Sequence, residues 1–273
     1  MLIRAKKLAA LYLSHNHPKR KANVKTDNLA HIMRIGVISD VHGNLEALHA
    51  VLADIARSEV NAIICLGDMI GYGPDSDKVV RTIQALGIST IMGNHELGAI
   101  DASQLKWFNP AARESLKQAI KMLSAESLSF ISGLKPVMLD FGFRFVHAFP
   151  PDSVKTYLFA VSDDAICRAF EIMPQRVCFV GHTHLLELIA YNGSSLSRKR
   201  LPEGITRLSA DQQYVINVGS VGQPRDGNHD AKYVIYDIDN QWVVLRQVAY
   251  DIDAVVDKMK AAGFPKALAL RLR

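Results

Sequence analysis

The chain has 273 residues, of which 49% are hydrophobic, enough to build one large domain or two small ones around a buried core. No run approaches the ~18 uninterrupted apolar residues that a membrane-spanning helix needs, so we expect a soluble, globular protein that does not cross a bilayer. The formal net charge is +5, but residues 1–32 hold seven basic groups and one acidic group, which leaves about −1 on residues 33–273. The main body therefore lacks the basic field that nucleic-acid binding requires, and we expect no such partner for it.

The basic residues are concentrated in an N-terminal extension, residues 1–32, which we expect to be a flexible, solvated tail without a role in the chemistry. Its apolar stretch, residues 8–13, is short and has no small-residue cleavage site after it, which argues against a secretory signal. A transit peptide and a nucleic-acid-binding arm remain alternatives for this segment. Three cysteines without a close pair indicate free thiols in a reducing compartment, so we predict a cytoplasmic protein.

From residue 34 the chain alternates predicted strands and helices in the order βαβαβ, which is typical of a parallel sheet. Strands are predicted over 34–39, 62–66 and 89–92, and helices over 45–57 and 77–86. Asn44 is placed to cap the first of these helices. Ligands bind beyond the carboxyl ends of such strands, and each of these strands ends in polar residues. We therefore expect a functional site at this edge of the sheet.

Residues 97–135 have a helical pattern, and we predict that they form an insertion beside the site within one domain of residues 33–273. Strand patterns return over 137–139, 144–147 and 176–180, with a helix after Ser162. The last third is mostly β, with strands predicted over 185–191, 214–218, 232–238 and 241–249 and a final helix from Ile252 to Gly263. From these last four strands we expect an antiparallel second sheet.

Eight polar residues at predicted strand ends are of types that bind metal ions or move protons. They are Asp40, His42, Asp68, Asn94, His95, His147, His182 and His184. Carboxylate, imidazole and amide groups without a thiolate suit divalent Mn, Fe, Zn, Ni or Co better than Ca or Mg. Seven ligands are too many for one ion. Two ions that share one carboxylate would use them, and such a pair activates a water for attack on a phosphate ester.

Five blocks of these residues resemble, in order, the motifs of calcineurin-like metallophosphoesterases. The blocks are Asp40-x-His42, Gly67-Asp68, Gly93-Asn94-His95-Glu96, the strand-end His147, and Gly181-His182-Thr183-His184. Residues 217–225 are similar to the small bacterial phosphodiesterase branch of that superfamily. Each block alone is a weak signal, but five in order, each at the end of an apolar run, are specific. The fold that the resemblance implies is α/β, with two facing mixed β-sheets flanked by helices in a four-layer α/β/β/α sandwich.

The resemblance implies a dinuclear metal-dependent phosphoesterase that hydrolyses phosphodiesters, and some phosphomonoesters, by attack of a metal-bridging hydroxide. It assigns Asp40, His42 and His184 to one ion, Asn94, His147 and His182 to the other, and Asp68 to both. His95 would be the acid at the leaving group. The partner implied is a small phosphate ester, and the sequence leaves the oligomeric state open.

Other roles and functions stay open at the level of sequence. Arg225 has two interpretations of equal weight, a ligand for the substrate phosphate and a surface cation. For Tyr72 and Trp107 a packing role is favoured over a pocket-lining one. The alternative functions are a non-catalytic metal-binding scaffold for protein partners, which loss of His95 or of a ligand would mark, and a nuclease, which would need a basic groove.

A chain that begins at Met33 is expected to keep its kcat on a small phosphodiester, because every candidate ligand lies beyond that residue and the basic excess lies before it. Steady-state kinetics of the full and the shortened chain, each with its metal content measured, would check this. Loss of activity from a shortened chain that is folded and metal-loaded would instead assign the extension to the site.

Overall fold

The computed structural model describes residues 33–273, so the predicted N-terminal extension lies outside the described residues. The chain first forms β1 (Arg34–Ile38), α1 (Leu45–Ala56), β2 (Ala62–Cys65), α2 (Ser76–Ala85) and β3 (Ser89–Thr90), which confirms the predicted βαβαβ order. It continues with α3 (Asn94–Ile100), a 3₁₀ helix (Ala102–Trp107), α4 (Pro110–Met122) and α5 (Ala125–Ser132). The predicted helical segment is therefore present and begins earlier than expected. Its status as an insertion in a single domain stays a prediction.

The second half of the chain is mostly β structure. It contains β4 (Val137–Asp140), β5 (Phe143–Val146), a 3₁₀ helix (Leu158–Ala160), α6 (Asp163–Ile172), β6 (Val177–Val180), β7 (Leu186–Tyr191), β8 (Leu196–Lys199), β9 (Gly204–Arg207), β10 (Gln213–Val218), β11 (Ala231–Asp237), β12 (Trp242–Val248), α7 (Ile252–Ala261) and α8 (Lys266–Leu270). The sequence pattern does not predict β8, β9 and α8. Both strands are short edge strands with no fully buried residue, so their apolar signal is weak.

The first sheet has six strands in the order β3-β2-β1-β11-β12-β9. Strands β1, β2 and β3 are parallel, and β11 pairs antiparallel with the other edge of β1, with Val37 opposite Val234. The carboxyl ends of the three parallel strands lie at one edge of the sheet, and the chain leaves each of them there. The loops that follow β1, β2 and β3 are therefore neighbours in space, although up to 50 residues or so separate them in sequence.

The second sheet also has six strands, in the order β4-β5-β6-β10-β7-β8. It is mixed, because β5, β6 and β10 run parallel to one another while β4, β7 and β8 pair antiparallel. The expectation of an antiparallel second sheet is therefore wrong. Of its four expected strands, β7 and β10 lie in the second sheet, but β11 and β12 complete the first. The reason is that β1 is buried, and a buried strand needs a hydrogen-bonding partner on both edges.

The two sheets face each other across an aromatic core. Phe145 and Phe179 of the second sheet stack with ring centroids 5.4 Å apart, and Tyr236 of the first sheet lies 5.7 Å from Phe179. Helices α1 and α2 cover the outer face of the first sheet, and α6 covers that of the second. The fold is thus the predicted α/β sandwich of two mixed sheets flanked by helices. Over residues 33–273, no helix has the length and the apolar character needed to span a bilayer.

Phe179→Ala is expected to lower the free energy of unfolding by about 3–5 kcal/mol, because the ring is fully buried between the sheets and its removal leaves a cavity. The matched control is Phe159→Ala, which removes a ring that is 61% exposed and should cost at most about 1 kcal/mol. Urea denaturation of both variants measures the difference. Similar losses in the two variants would contradict an inter-sheet core centred on Phe179.

Candidate functional site

The backbone of the candidate ligands is unusual. Asp40, His42, Asp68, His182 and His184 all have a positive φ, between 49° and 65°. This left-handed conformation is uncommon for residues with a side chain, so the surrounding structure must hold it in place. Asp40 and His42 approach each other because the chain turns at both residues.

Asp40, His42 and His184 form a first group of candidate metal ligands. Nε2 of His42 lies 3.1 Å from Nε2 of His184, and these two atoms lie 3.7 and 3.3 Å from Asp40 Oδ1. All three side chains are buried, and Asp40 Oδ1 has no hydrogen-bond partner within the described part of the chain. A buried carboxylate oxygen that faces two ring nitrogens and lacks a donor is an environment that a cation would satisfy.

Asp68, His147 and His182 form a second group, and Asn94 lies beside it. Nε2 of His147 is 3.3 Å from Asp68 Oδ2 and 3.2 Å from Asn94 Oδ1. Asn94 is the first residue of α3, so the start of this helix delivers its amide oxygen to the group. The structure thus brings together, in two adjoining groups, all seven residues that the sequence nominates as metal ligands.

The carboxylate of Asp68 lies between the two groups. Its Oδ2 is 3.3 Å from His147 Nε2 of the second group and 3.7 Å from His42 Nε2 of the first. Its Oδ1 accepts the backbone N–H of His95 at 2.9 Å. That hydrogen bond orients the carboxylate, so one and the same oxygen faces both groups.

Backbone carbonyl groups orient four of the histidine rings. The contacts are His42 Nδ1 to Ile70 O at 3.0 Å, His147 Nδ1 to Leu66 O at 2.7 Å, His184 Nδ1 to Gln223 O at 2.6 Å and His182 Nε2 to Lys155 O at 3.1 Å. A carbonyl oxygen only accepts, so the ring nitrogen that contacts it carries a proton and the other nitrogen of each ring faces the cluster. Metal-binding histidines have such partners, so these residues fit divalent cations.

Protonation states agree with this fit. Burial would raise the pKa of Asp40, but the neighbouring His184 holds it well below its ordinary value. Burial lowers the pKa of His182 to about 3 and that of His184 to about 4. For His147, burial is outweighed by the negative charge of Asp68, which raises the pKa to about 9. At neutral pH the site therefore holds an ionised Asp40 and two neutral imidazoles, the forms in which these groups bind metals, whereas His147 carries a second proton that a bound cation would displace.

His95 lies at the edge of the cluster, as the second residue of α3. It diverges from Asn94 because successive helical residues differ in direction by about 100°. Its Nε2 is 3.9 Å from Asp68 Oδ2, and its ring packs against Tyr72 and Phe108 while it also lines a cavity. Burial lowers the pKa of His95 well below its ordinary value, and an anion bound beside the ring would raise that pKa again.

Glu96 has a role that becomes visible only in the structure. Its buried carboxylate accepts the backbone N–H groups of Asp68 at 2.7 Å, Met69 at 2.8 Å and Gly93 at 3.0 Å. It therefore ties the loop after β2 to the loop after β3. This close approach of the two loops needs glycine at position 93, since a Cβ there would lie 2.2 Å from Asp68 Oδ1. The signal available in the sequence is a glutamate at the third position of a helix, which is typical of a capping box.

The segment over residues 217–225 supports the loops of both sheets. Asn217 donates through Nδ2 to Gly181 O at 3.0 Å and to Thr183 Oγ1 at 2.8 Å, so it holds the loop that carries two of the histidines. Ser220 donates its hydroxyl to Asp40 O at 2.8 Å, on the other sheet. This segment thus joins the strand ends from which the two groups are built.

A cavity of about 340 Å³ opens from the cluster, and its lining includes Asp68, His95, Tyr72, Trp107 and Arg225. The Arg225 guanidinium donates to Gln223 Oε1 at 2.9 Å and lies 5.8 Å from the centroid of the Tyr72 ring. Arg225 therefore faces the cavity, and its contact with a substrate stays a prediction. Tyr72 both lines the cavity and packs in a buried apolar cluster. Trp107 lines the cavity and is exposed, so the preference for a packing role is wrong for Trp107.

Comparison with known proteins gives a consistent result. Residues 33–241 match the family model of the calcineurin-like phosphoesterase superfamily domain. The chain is 35% identical over 244 residues to the uncharacterized protein MJ0912 of Methanocaldococcus jannaschii, which covers 87% of this chain and 96% of that protein. A crystal structure of a metallophosphoesterase from Sphaerobacter thermophilus has 35% identity and a TM-score of 0.77, covering 88% of this chain and 98% of the other. The symmetrical bis(5'-nucleosyl)-tetraphosphatase of Pectobacterium atrosepticum is 39% identical over only 64 residues, 22% of this chain and 23% of that one.

Glu96→Gln is expected to weaken metal binding by roughly 10- to 100-fold, because an amide has one acceptor oxygen where the carboxylate has two. At least one backbone N–H of the two joined loops then loses its partner. Calorimetric titration with Mn²⁺ measures the affinity, and the exposed Glu203→Gln is the matched control. Unchanged affinity in Glu96→Gln would mean that the loops keep their positions without this carboxylate.

Proposed function

The chain belongs to the calcineurin-like phosphoesterase superfamily and is a phosphoester hydrolase, and on that premise we propose that it hydrolyses phosphodiesters with two divalent metal ions. Some phosphomonoesters are proposed as further substrates. The single observation that carries the proposal is the position of Asp68 Oδ2, 3.7 Å from a ring nitrogen of the first group and 3.3 Å from one of the second. A carboxylate oxygen between two sets of donors suits a ligand that is shared by two ions.

The residues that would hold the ions follow from the two groups. We assign Asp40, His42 and His184 to one ion, Asn94, His147 and His182 to the other, and Asp68 to both. Mn, Fe, Zn, Ni and Co remain the candidate metals, because the donors are imidazole, carboxylate and amide groups without a thiolate. Bound there, two ions would supply an activated water and would clamp the oxygens of the phosphoryl group.

The protein itself contributes orientation and charge. The Nε2 atoms stay aimed at the cluster because backbone carbonyl groups hold the opposite nitrogen, Nδ1, of each ring. Arg225 presents a guanidinium on the cavity wall, where it would attract a phosphate and pair with its oxygens. His95 lies on the cavity side of the cluster, and we propose that it donates a proton to the departing oxygen.

Two observations favour diesters over monoesters. The cavity extends well beyond the space that a phosphate group needs, so organic groups on both ester oxygens have room. In addition, the protein from Pectobacterium atrosepticum that is similar over 64 residues is named for bis(5'-nucleosyl) tetraphosphates, in which a nucleoside is attached at each end of the phosphate chain. We extend this preference to the present chain as part of the proposal.

The alternatives have less support. A non-catalytic scaffold is disfavoured because His95 and all the candidate ligands are present and adjoin one cavity. A nuclease is disfavoured by the net charge of about −1 on residues 33–273. Location in the cytoplasm stays a prediction, and it rests on the free thiols of Cys65, Cys167 and Cys178.

Asp68→Asn is expected to abolish turnover and to weaken the binding of both ions, because a neutral amide replaces a charged oxygen that faces both groups. Elemental analysis after gel filtration should show a fall from about two ions per chain, a stoichiometry that this type of site requires. Asp54→Asn, a substitution of a carboxylate that pairs with Arg246 away from the cluster, is the matched control and should keep its metal. Fully active protein with one ion or none would contradict the shared-ligand arrangement.

His95→Ala is expected to lower kcat by about 10²- to 10⁴-fold for an ester with a poor leaving group, such as an alkoxide, which needs a proton as it departs. Bis(p-nitrophenyl) phosphate should lose far less, because p-nitrophenolate leaves without protonation. The kcat of wild type and variant across esters of graded leaving-group acidity measures the effect, with the metal content of each confirmed. An equal loss at every leaving group would make His95 a residue that positions the phosphate or the metals.

A further inference from the structure

The wall of the cavity carries a large aromatic side chain that the fold does not bury. Trp107 is 67% exposed although it lines the cavity. It ends the 3₁₀ helix Ala102–Trp107, which follows the helix that carries Asn94 and His95. When a ligand covers an exposed indole ring beside a site, the apolar surface of the ring leaves water and binding becomes more favourable. Its position therefore marks a surface for a flat, largely apolar group.

Cations surround this ring. Nζ of Lys155 lies 5.1 Å from its centroid and Nζ of Lys106 lies 5.6 Å from it. Lys155 is tied to the metal site, because its carbonyl oxygen lies 3.1 Å from His182 Nε2. Together with Arg225 it gives the cavity a positive charge that complements a phosphate. A contact between an ammonium and an exposed indole is weak, so an arriving ring can replace it.

Two amide side chains on the same wall have unused hydrogen-bonding atoms. Oδ1 of Asn109 accepts the N–H of Ala112, and Nε2 of Gln104 donates to Asp101. Over residues 33–273, the Nδ2 group of Asn109 and the Oε1 atom of Gln104 have no hydrogen-bond partner. The wall thus offers a donor and an acceptor beside an aromatic face. A nucleobase has donors and acceptors around a flat ring, whereas a plain aryl group has only the ring.

We propose that this cavity binds a nucleoside phosphate, with the base stacked on Trp107 and the phosphate directed toward Lys155, Arg225 and the metal site. This inference rests on the proposed function, because it names the substrate class of the same site. Hydrolysis would add water across one P–O bond of a nucleotide diester, so that a nucleoside monophosphate and an alcohol are released. The volume of about 340 Å³ lies at the lower end of the ~300–1,000 Å³ of small-molecule pockets, which suits one nucleoside phosphate unit.

Binding without turnover tests this subsite. AMP and ribose 5-phosphate carry the same phosphate and differ by the base, so with Mn²⁺ present the base accounts for any difference in affinity. The chain has two tryptophans, and a Trp242→Phe background leaves Trp107 as the fluorescent reporter. AMP is expected to quench its fluorescence and to bind roughly 5- to 100-fold more tightly than ribose 5-phosphate, the range that base stacking on an aromatic side chain provides.

Variants at exposed positions separate the contribution of the Trp107 ring to binding from that of the Lys155 charge. Trp107→Ala should bring the ratio of the two affinities, measured by calorimetry, close to 1, while Trp107→Phe keeps part of the ratio. Lys155→Met should weaken both ligands by a similar factor, because it acts on the phosphate. Phe159→Ala removes a similarly exposed ring that does not line the cavity, so it is the matched control and should leave the ratio unchanged.

Equal affinities in the wild type, or an unchanged ratio in Trp107→Ala, would overturn the nucleotide subsite. Turnover of bis(p-nitrophenyl) phosphate, measured in parallel, separates that failure from a failure of the proposed function. A protein that hydrolyses this ester without distinguishing the two ligands keeps its function and loses the subsite. A protein that distinguishes them through Trp107 without hydrolysing the ester keeps the subsite and loses the function.

Discussion

Buried carboxylates and imidazoles are stable only where other groups offset their lost hydration, and this constraint governs the strand-end region of the protein. Asp40 and Asp68 are both almost completely buried. Asp40 accepts the backbone N–H of His182 at 3.0 Å, and Asp68 accepts that of His95 at 2.9 Å. The other oxygen of each carboxylate faces histidine ring nitrogens. Asp40 Oδ1 has no hydrogen-bond partner among the described residues, whereas Asp68 Oδ2 has His147 Nε2 at 3.3 Å. Both oxygens face the same small space, which a positive charge stabilises.

The loops around this space are held by contacts that come from distant parts of the chain. Glu96 joins two loops of the first sheet through three backbone N–H groups, and Asn217 holds the loop that contributes His182 and His184. Close approach is part of the arrangement, since a Cβ at Gly181 would lie 2.0 Å from Ser39 Oγ. Such support is what allows residues with side chains to keep a left-handed backbone at the cluster. The ligand positions are therefore a property of the two sheets together.

The floor and the walls of the cavity have different origins. The floor is built from strand ends, which the sandwich fold fixes, and it carries the chemistry common to phosphoester hydrolysis. The walls come from connecting segments, the 3₁₀ helix that ends at Trp107 and the loop that contains Lys155 and Tyr157. Tyr157 stacks on His182 with ring centroids 4.1 Å apart, so this wall contacts the candidate ligands directly. A division of this kind lets substrate choice vary while the reaction centre stays the same.

The sequence by itself determined most of the helices and strands and the residue types of the candidate site. Apolar runs that end in Asp, Asn or His, a capping residue such as Asn44, and the order of the five motifs are local features, and the structure places them as predicted. Only the tertiary structure decided that β11 and β12 complete the first sheet. The pairing depends on the free edge of β1, which lies nearly 200 residues before β11 in the sequence. The ring nitrogen that each histidine presents, the anchoring role of Glu96 and the exposure of Trp107 were likewise decided there. Their causes are contacts between segments that are remote in sequence, which no local pattern encodes.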